Sequence, residues 1–302
     1  MLAVVWPKGC AVLRRVTQRD VARRAGVSRV TVSNVLSGRP QKHILIPEET
    51  CKRILAAAEE LGYQPNAAAR SLRSGRAGII GLLLPDVRNP HYWAMARGVE
   101  RAAMEHGYHV ILTVSALGPE SERQCLLALA QQRVDGLIVA LHYRELTETW
   151  LDKLRQSDAP IVPNAKDSVW VRYDLGMEQV MQHLLQLGHR RIAYIHGVPS
   201  PGMGQERLDG YRKGLRDAGI ALREEMIVHC GATLEDGHAA ARQLLSLSPR
   251  PTAIIGLNDL MAIGAMKAAG ELGLSVPQDL SVVGFDDADI SAHLHPPLTT
   301  VR

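Results

Sequence analysis

The sequence lacks any run of 18 or more apolar residues, so it predicts no membrane-spanning helix. Its four cysteines, Cys10, Cys51, Cys125 and Cys230, form no CxxC pair and have no metal-ligand spacing. This favours reduced thiols over a disulfide framework and suggests a cytoplasmic protein. The sequence also lacks four common catalytic or nucleotide-binding motifs: GxSxG, HExxH, a P-loop and a GxGxxG after a strand. This argues against the enzyme classes that use them. We expect no cofactor and no metal.

The first 16 residues, MLAVVWPKGCAVLRRV, are only weakly similar to a secretory signal. Pro7, Lys8 and Gly9 interrupt the apolar run, and no small-residue cleavage site follows. We interpret residues 1–16 as a disordered N-terminal extension or the product of a misplaced start codon. A signal peptide is the alternative.

Acidic residues are scarce at the start of the chain. Residues 1–76 hold 14 Lys and Arg against 5 Asp and Glu, whereas residues 77–302 hold 21 against 26. A basic head on an acidic body indicates a module that binds a polyanion, joined to a part with another task. A basic solvated face is the simpler alternative, and charge does not decide between them.

Residues 17–64 have the pattern of three short helices. Thr17 and Asp20 match a capping box, Gly26 ends the first helix, and Ser28 caps a second helix that runs to about Leu36. The third helix spans residues 48–61. A helix, a short turn with glycine and a second helix form the helix-turn-helix pattern. Residues 65–76, which begin with proline and end near glycine, suit a hinge that becomes helical on a partner.

From residue 77 onward, apolar strands alternate with amphipathic helices, which predicts parallel sheets with helices on both faces. Two sets of four strands predict two Rossmann-like lobes, about 77–163 and 164–290, with a ligand cleft at the carboxyl ends of the strands. The expected strands are 79–84, 110–115, 136–140, 160–162, 191–196, 226–230, 252–257 and 281–285. The fold class is therefore a small all-α head plus an α/β two-lobed body.

The second helix would turn Val32, Val35 and Leu36 inward. The residues left on its outer face have the side chains that the major groove of DNA requires: Arg29, Val30, Thr31, Ser33 and Asn34. Arginine and asparagine donate to base edges, valine contacts the thymine methyl, and hydroxyls bind phosphate oxygens. A helical corner without DNA is the alternative.

The stretches TQRDVARRAGVSRVTVSNVLSG and AAAEELGYQPNAAARSL resemble the head and hinge of the lactose-repressor/galactose-repressor family of transcription regulators. The body adds GLLLPDVRNP, QRVDGLIV, HLLQLGHRRIAYIHG, ERLDGY, LNDLMAIGAMKAAGELGLSVPQDLSVVGFDD and PPLTT, so the resemblance covers residues 17–302 in order. It implies a homodimeric repressor that binds pseudo-palindromic double-stranded operator DNA, with a body like periplasmic sugar-binding proteins. A small polar effector, a sugar or sugar derivative, would control operator affinity; nucleobases are also used in the family.

The resemblance places base contacts at Arg29, Val30 and Asn34, although many relatives carry arginine or histidine in place of Asn34. It identifies Leu72 as the leucine that wedges into the minor groove, a step that costs unstacking energy; packing against the body is the alternative. The full set of expected DNA contacts is Thr17, Ser28, Arg29, Val30, Thr31, Ser33, Asn34, Asn66, Arg70 and Leu72.

The resemblance implies that His91, Tyr92, Arg207 and Asp286 contact the effector. Asn258 and Asp259 are added as effector contacts because they follow directly after the expected strand 252–257. A fixed arginine fork beside carboxylate and amide groups suits a hydroxyl-rich ligand. His91 and Tyr92 could instead be a hydrophobic staple, and Arg207 could form a salt bridge with Glu206 or Asp209.

Three departures from the family pattern stand out. Ala232 occupies the position of an aromatic residue that stacks on the ligand in many relatives. The segment between Asp174 and the next helix is shorter than usual, and relatives continue beyond PPLTTVR, so the body is C-terminally truncated relative to the family. A metal site at Asp286, Asp287, Asp289, His293 and His295, a sugar-handling enzyme and a periplasmic receptor are the rival interpretations.

Overall fold

The computed structural model describes residues 16–36, 46–64, 76–116, 118–132, 134–140, 149–150, 171–197 and 204–302. The chain divides into two compact units between Ala77 and Gly78. The extension, the hinge residues 65–75 and the expected strand at 160–162 lie outside the described residues.

The first unit contains three helices: α1 (Gln18–Ala25), α2 (Arg29–Leu36) and α3 (Glu48–Glu60). Asp20 Oδ2 accepts hydrogen bonds from the Thr17 amide at 2.9 Å and the Thr17 hydroxyl at 2.7 Å, which closes the start of α1. Gly26 follows α1 with φ of 66°, a conformation that glycine adopts without strain. The predicted turn between α1 and α2 is confirmed.

Small apolar residues form the core of this unit. Val21, Ala22 and Ala25 of α1 pack with Val32 of α2 and with Ile54, Ala57 and Ala58 of α3. Val35 and Leu36 pack against this cluster as predicted. Two arginine contacts hold α1 to α3: Arg53 Nε donates to the Ala25 carbonyl at 2.9 Å, and Arg24 pairs with Glu60 at 2.7 Å.

The first lobe of the second unit contains a parallel sheet in the order β2-β1-β3. Its strands are β1 (Ile79–Leu84), β2 (His109–Val114) and β3 (Gly136–Val139), with helices α4 (Pro90–Glu105) and α5 (Pro119–Gln131). Leu83, Leu126, Leu129 and Leu137 form its buried cluster.

The second lobe has a five-stranded parallel sheet in the order β5-β4-β6-β7-β8. Its strands are β4 (Ile192–Gly197), β5 (Ile227–Cys230), β6 (Ala253–Gly256), β7 (Ser281–Phe285) and β8 (Thr299–Val301). Its helices are α6 (Tyr173–Gln186), α7 (Gln205–Asp217), α8 (Leu234–Leu245) and α9 (Asp259–Glu271), with 3₁₀ turns at Glu224–Met226 and Asp289–His293.

Two expectations about the second lobe are wrong. Its sheet has five strands rather than four, because the short segment Thr299–Val301 pairs with β7 through Val283 and Thr299. No loop separates Asp174 from the next helix, because α6 begins at Tyr173 and Asp174 lies in its first turn, where it pairs with Arg172 at 2.6 Å. None of the helices in the described residues is long and apolar enough to cross a membrane.

Candidate functional sites

The outer face of α2 carries the side chains predicted to contact DNA. Arg29 is exposed, and Val30 leaves 60% of its surface exposed although it is apolar. Thr31, Ser33 and Asn34 are half-buried on the same helix, while Val32 is fully buried. An exposed valine beside an exposed arginine at the start of a helix suits direct contact with base edges.

The N-terminal turn of α2 is held by two hydroxyls. Ser28 Oγ accepts from the Thr31 amide at 3.1 Å and lies 2.8 Å from Thr31 Oγ1. Ser28 therefore caps α2 as predicted, and any phosphate contact by these hydroxyls adds to a structural role. Thr17 is exposed and similarly bound to Asp20. The expected hinge contacts Asn66, Arg70 and Leu72 lie outside the described residues.

In the second unit, side chains of both lobes meet at Asp286, directly after β7. Asn89, the N-cap of α4 in the first lobe, accepts from the His91 amide at 2.9 Å through Oδ1. Its Nδ2 donates to Asp286 Oδ2 at 3.3 Å. The carboxyl ends of β1 and β7 therefore face each other, as expected for a ligand cleft at the carboxyl ends of parallel strands.

Arg207, near the start of α7, lies at the same place and is only 8% exposed. Its Nη2 is 3.8 Å from Asp286 Oδ1, and among the described residues it forms no ion pair with Glu206 or Asp209. Its guanidinium stacks 3.7 Å from the centre of the Tyr173 ring and 5.0 Å from that of Phe285. Within the part of the chain that the structure describes, Arg207 Nε has no hydrogen-bond partner, so a buried donor is left for a ligand.

Burial controls the ionisation of this cluster. It raises the pKa of Asp286, and the neighbouring His91, Arg207 and Asn89 oppose that rise. Burial also raises the pKa of Tyr92, with a further contribution from Tyr173 and Asp286. His91 and Tyr92 themselves pack edge to face with ring centres 5.4 Å apart. The structure thus brings His91, Tyr92, Arg207 and Asp286 together.

Asn258 and Asp259 have partners inside the second lobe. Asn258 Oδ1 caps α9 by accepting from the Met261 amide at 3.0 Å. The Asp259 carboxylate is buried and accepts from the Ala288 amide at 2.7 Å, from the Ser291 hydroxyl at 2.8 Å and from the Thr300 hydroxyl. Contrary to our expectation of a ligand contact, this carboxylate links α9 to β8 and to the segment after β7.

Two contacts at this site were not predicted from the sequence: the stacking of Tyr173 on Arg207, and the bond from Asn89, which was expected to shape the loop before α4, to Asp286. Tyr173 begins α6, and nothing in its local sequence indicates that it stacks on an arginine 34 positions later. The polar residue before Pro90 did carry a signal, since Asn followed by Pro is typical of a helix start. In the described ranges no three His, Cys, Asp or Glu residues are grouped as metal ligands would be.

Known proteins share this architecture. Residues 17–66 match the family "Bacterial regulatory proteins, lacI family", and residues 181–302 match "Periplasmic binding protein-like domain". Catabolite control protein A of Priestia megaterium is 35% identical, over 95% of this chain and 87% of its own length. The chain belongs to the lacI family.

Other lacI-family proteins are similar over the same length. The ribose operon repressor of Escherichia coli (strain K12) is 36% identical, over 95% of this chain and 87% of its own. A crystal structure of the lac repressor dimer bound to operator and the anti-inducer ONPF has a TM-score of 0.78 at 29% identity, over 95% of this chain and 87% of that one. The chain is thus a DNA-binding transcriptional regulator and not an enzyme.

Proposed function

We propose that this regulator is a homodimeric repressor whose affinity for a pseudo-palindromic operator is controlled by a small polar effector bound between the lobes of the second unit. It acts in the cytoplasm, where the DNA is. The observation that carries the effector site is the meeting of Asn89, Asp286 and the buried Arg207, whose Nε has no partner among the described residues.

DNA recognition is assigned to α2. Its exposed Arg29 and Val30 and the adjacent Asn34 provide the base contacts, and the hydroxyls of Thr17, Ser28, Thr31 and Ser33 contact the phosphate backbone. The basic excess of residues 1–76 supports this assignment, since phosphate contacts supply much of the affinity of such proteins. Asn66, Arg70 and Leu72 complete the set from the hinge, with Leu72 as the minor-groove wedge.

Effector recognition is assigned to His91, Tyr92, Arg207 and Asp286. The Arg207 guanidinium fork donates to one hydroxyl oxygen and the Asp286 carboxylate accepts from the neighbouring hydroxyl, an arrangement that favours a sugar or sugar derivative. A nucleobase is the second candidate, because the same fork also binds a ring carbonyl. The site takes side chains from both lobes. Effector binding therefore stabilises one arrangement of the two lobes relative to the other.

That change reaches the DNA as two-state allostery. The effector favours one arrangement of the lobes, this alters the spacing of the two hinges in the dimer, and operator affinity falls. A coupling of about 1–3 kcal/mol, or roughly 5–150-fold in affinity, is typical of such systems.

The test is a fluorescence anisotropy titration of the purified dimer against labelled DNA from upstream of its own gene, with a panel of sugars and purines. We expect tight binding that weakens steeply with salt and is relieved by one member of the panel. Arg29→Ala should abolish specific binding, whereas Arg223→Ala, a change to a half-buried arginine of the second unit that pairs with Glu225, should not. Binding that is insensitive to salt, or equal for operator and unrelated DNA, would contradict the proposal.

The proposed effector site is tested by substituting two arginines of the same helix, α7. Arg207→Ala should leave operator affinity intact and abolish the response to the effector, because the buried fork is lost. Arg216→Ala removes an exposed arginine of α7 and should retain the response. Equal responses of the two variants would refute the assignment of Arg207.

A further inference from the structure

Trp93 is an exposed aromatic residue at the edge of the effector site. It is the fourth residue of α4 and leaves 47% of its surface exposed. It borders a cavity of about 280 Å³ whose lining also includes His91, Arg97, Asp286, Asp287 and Asp289. This cavity shares His91 and Asp286 with the proposed effector site, so it extends that site outward along α4.

Among the described residues, Trp93 presents an exposed aromatic face near this site. The Tyr173 ring is covered by the Arg207 guanidinium at 3.7 Å, and Phe285 faces the same group at 5.0 Å. His91 and Tyr92 pack against each other edge to face. A ligand ring can therefore lie with its apolar C–H face on Trp93.

The opposite wall of the cavity consists of carboxylates on a strained backbone. Asp286 has φ of 100° and Asp287 has φ of 48°, values that residues other than glycine rarely adopt and that concentrate at functional sites. Asp289 lies 3.8 Å from Arg97, and both side chains are exposed. An exposed pair of this kind contributes little stability, so a ligand hydroxyl can replace it at low cost. Asp287 Oδ2 accepts a hydrogen bond from the exposed Arg302 at 2.6 Å, so a ligand hydroxyl must use the other carboxylate oxygen or replace this arginine.

We propose that Trp93, Asp287 and Asp289 form a second subsite that binds a glycosyl ring, with the ring face on the indole and its hydroxyls donating to the two carboxylates. This inference rests on the proposed effector site at Arg207 and Asp286, which binds the first ring. The cavity is smaller than the roughly 300–1,000 Å³ of a complete small-molecule pocket, a size suited to one additional ring. The effector is then a two-ring glycoside or disaccharide rather than a free monosaccharide.

Isothermal titration calorimetry of the full chain tests the subsite by comparing each monosaccharide with a disaccharide that contains it. The probes are glucose with cellobiose and maltose, and galactose with lactose. We expect at least one disaccharide to bind about tenfold more tightly than its monosaccharide, the order of magnitude expected for one aromatic stacking contact. Trp93→Ala should remove this preference and leave monosaccharide affinity unchanged, whereas Trp93→Phe should retain most of it.

Trp150→Phe is the matched control, since Trp150 packs beneath Arg123 in the first lobe and does not line the cavity. Asp286→Asn should weaken binding of both sugars in a pair, which separates failure of the main site from failure of the subsite. If Asp286→Asn weakens both sugars while Trp93→Ala changes neither, the subsite is wrong and the effector site stands. Absence of disaccharide binding, or a preference that survives in Trp93→Ala, overturns the inference.

Discussion

Asn89 and Asp286, 197 positions apart in the chain, join the two lobes of the second unit through a side-chain hydrogen bond of 3.3 Å. The same asparagine caps α4 through its other amide atom, Oδ1. One residue therefore fixes both the start of the helix that carries His91 and Tyr92 and its distance from the carboxylate at the end of β7.

Asn89→Asp should separate these two tasks. Aspartate still caps α4, but its carboxylate replaces the donor to Asp286 with a like charge. We expect a loss of about 1–3 kcal/mol in the free energy of unfolding near pH 7.5, measured by urea denaturation. Asn89→Thr, which keeps a cap without the charge, should lose less.

The defect of Asn89→Asp should shrink as the pH falls. Burial already raises the pKa of Asp286 above its ordinary value, so that carboxylate takes up a proton before an exposed one does. Protonation removes the repulsion, and the difference between the Asp and Thr variants should narrow from about pH 7.5 to about pH 5. A difference that is constant over this range would show that the two carboxylates do not interact.

Tyr173 should control the orientation of Arg207. The centre of its ring lies 3.7 Å from the Arg207 guanidinium carbon, a cation–π contact that contributes about 0.5–2 kcal/mol. Tyr173→Leu should therefore weaken effector binding roughly 2–30-fold, while Tyr173→Phe, which keeps the ring, should retain it. Calorimetric titration with the sugar that relieves operator binding distinguishes the two, and equal affinities for Leu and Phe would exclude the stacking role.

Asp259→Asn should destabilise the second lobe without changing effector recognition. The buried carboxylate accepts from one amide and two hydroxyls, and an amide side chain supplies only one acceptor oxygen. We expect a loss of about 1–3 kcal/mol in urea denaturation. Asp217→Asn, an exposed change in a pair with Lys213, should cost less than about 0.5 kcal/mol, and equal losses would argue against the network.

The pH dependence from Asp259 has a definite sign. Burial raises its pKa in the folded state, so the folded protein binds this proton more tightly than the unfolded chain does. Its contribution therefore favours folding at low pH and is lost as the pH rises through the raised pKa. Asp259→Asn should flatten this component of the stability curve.

The sequence predicted the strands well because most are buried, continuous apolar runs, which parallel sheets require. The bounds of β1 and β7 were predicted without error. Strand β8 was missed because Thr299–Val301 is short and begins with two threonines, so only its pairing with β7 identifies it.

The sequence predicted those residues of the candidate site that follow directly after a strand, because the carboxyl ends of parallel strands lie together. Arg207 and Asp286 meet as expected, but the role of a carboxylate after a strand depends on segments distant in sequence. Asp259 follows β6 much as Asp286 follows β7, yet Ser291 and Thr300 supply it with internal donors. The stacking of Tyr173 on Arg207 is likewise a contact between separate helices, for which neither local sequence has a signal.

Asn34→Arg should change which operator is preferred rather than how tightly any DNA is bound. Asparagine pairs best with adenine in the major groove, and arginine pairs best with guanine. A competition experiment with a library of operator half-sites should show a shift from adenine to guanine at one position, with a discrimination of about 1–3 kcal/mol. Arg19→Lys on α1 is the control and should leave the preferred sequence unchanged. If Asn34→Arg instead raises affinity equally for all members of the library and steepens the salt dependence, Asn34 contacts phosphate and not a base.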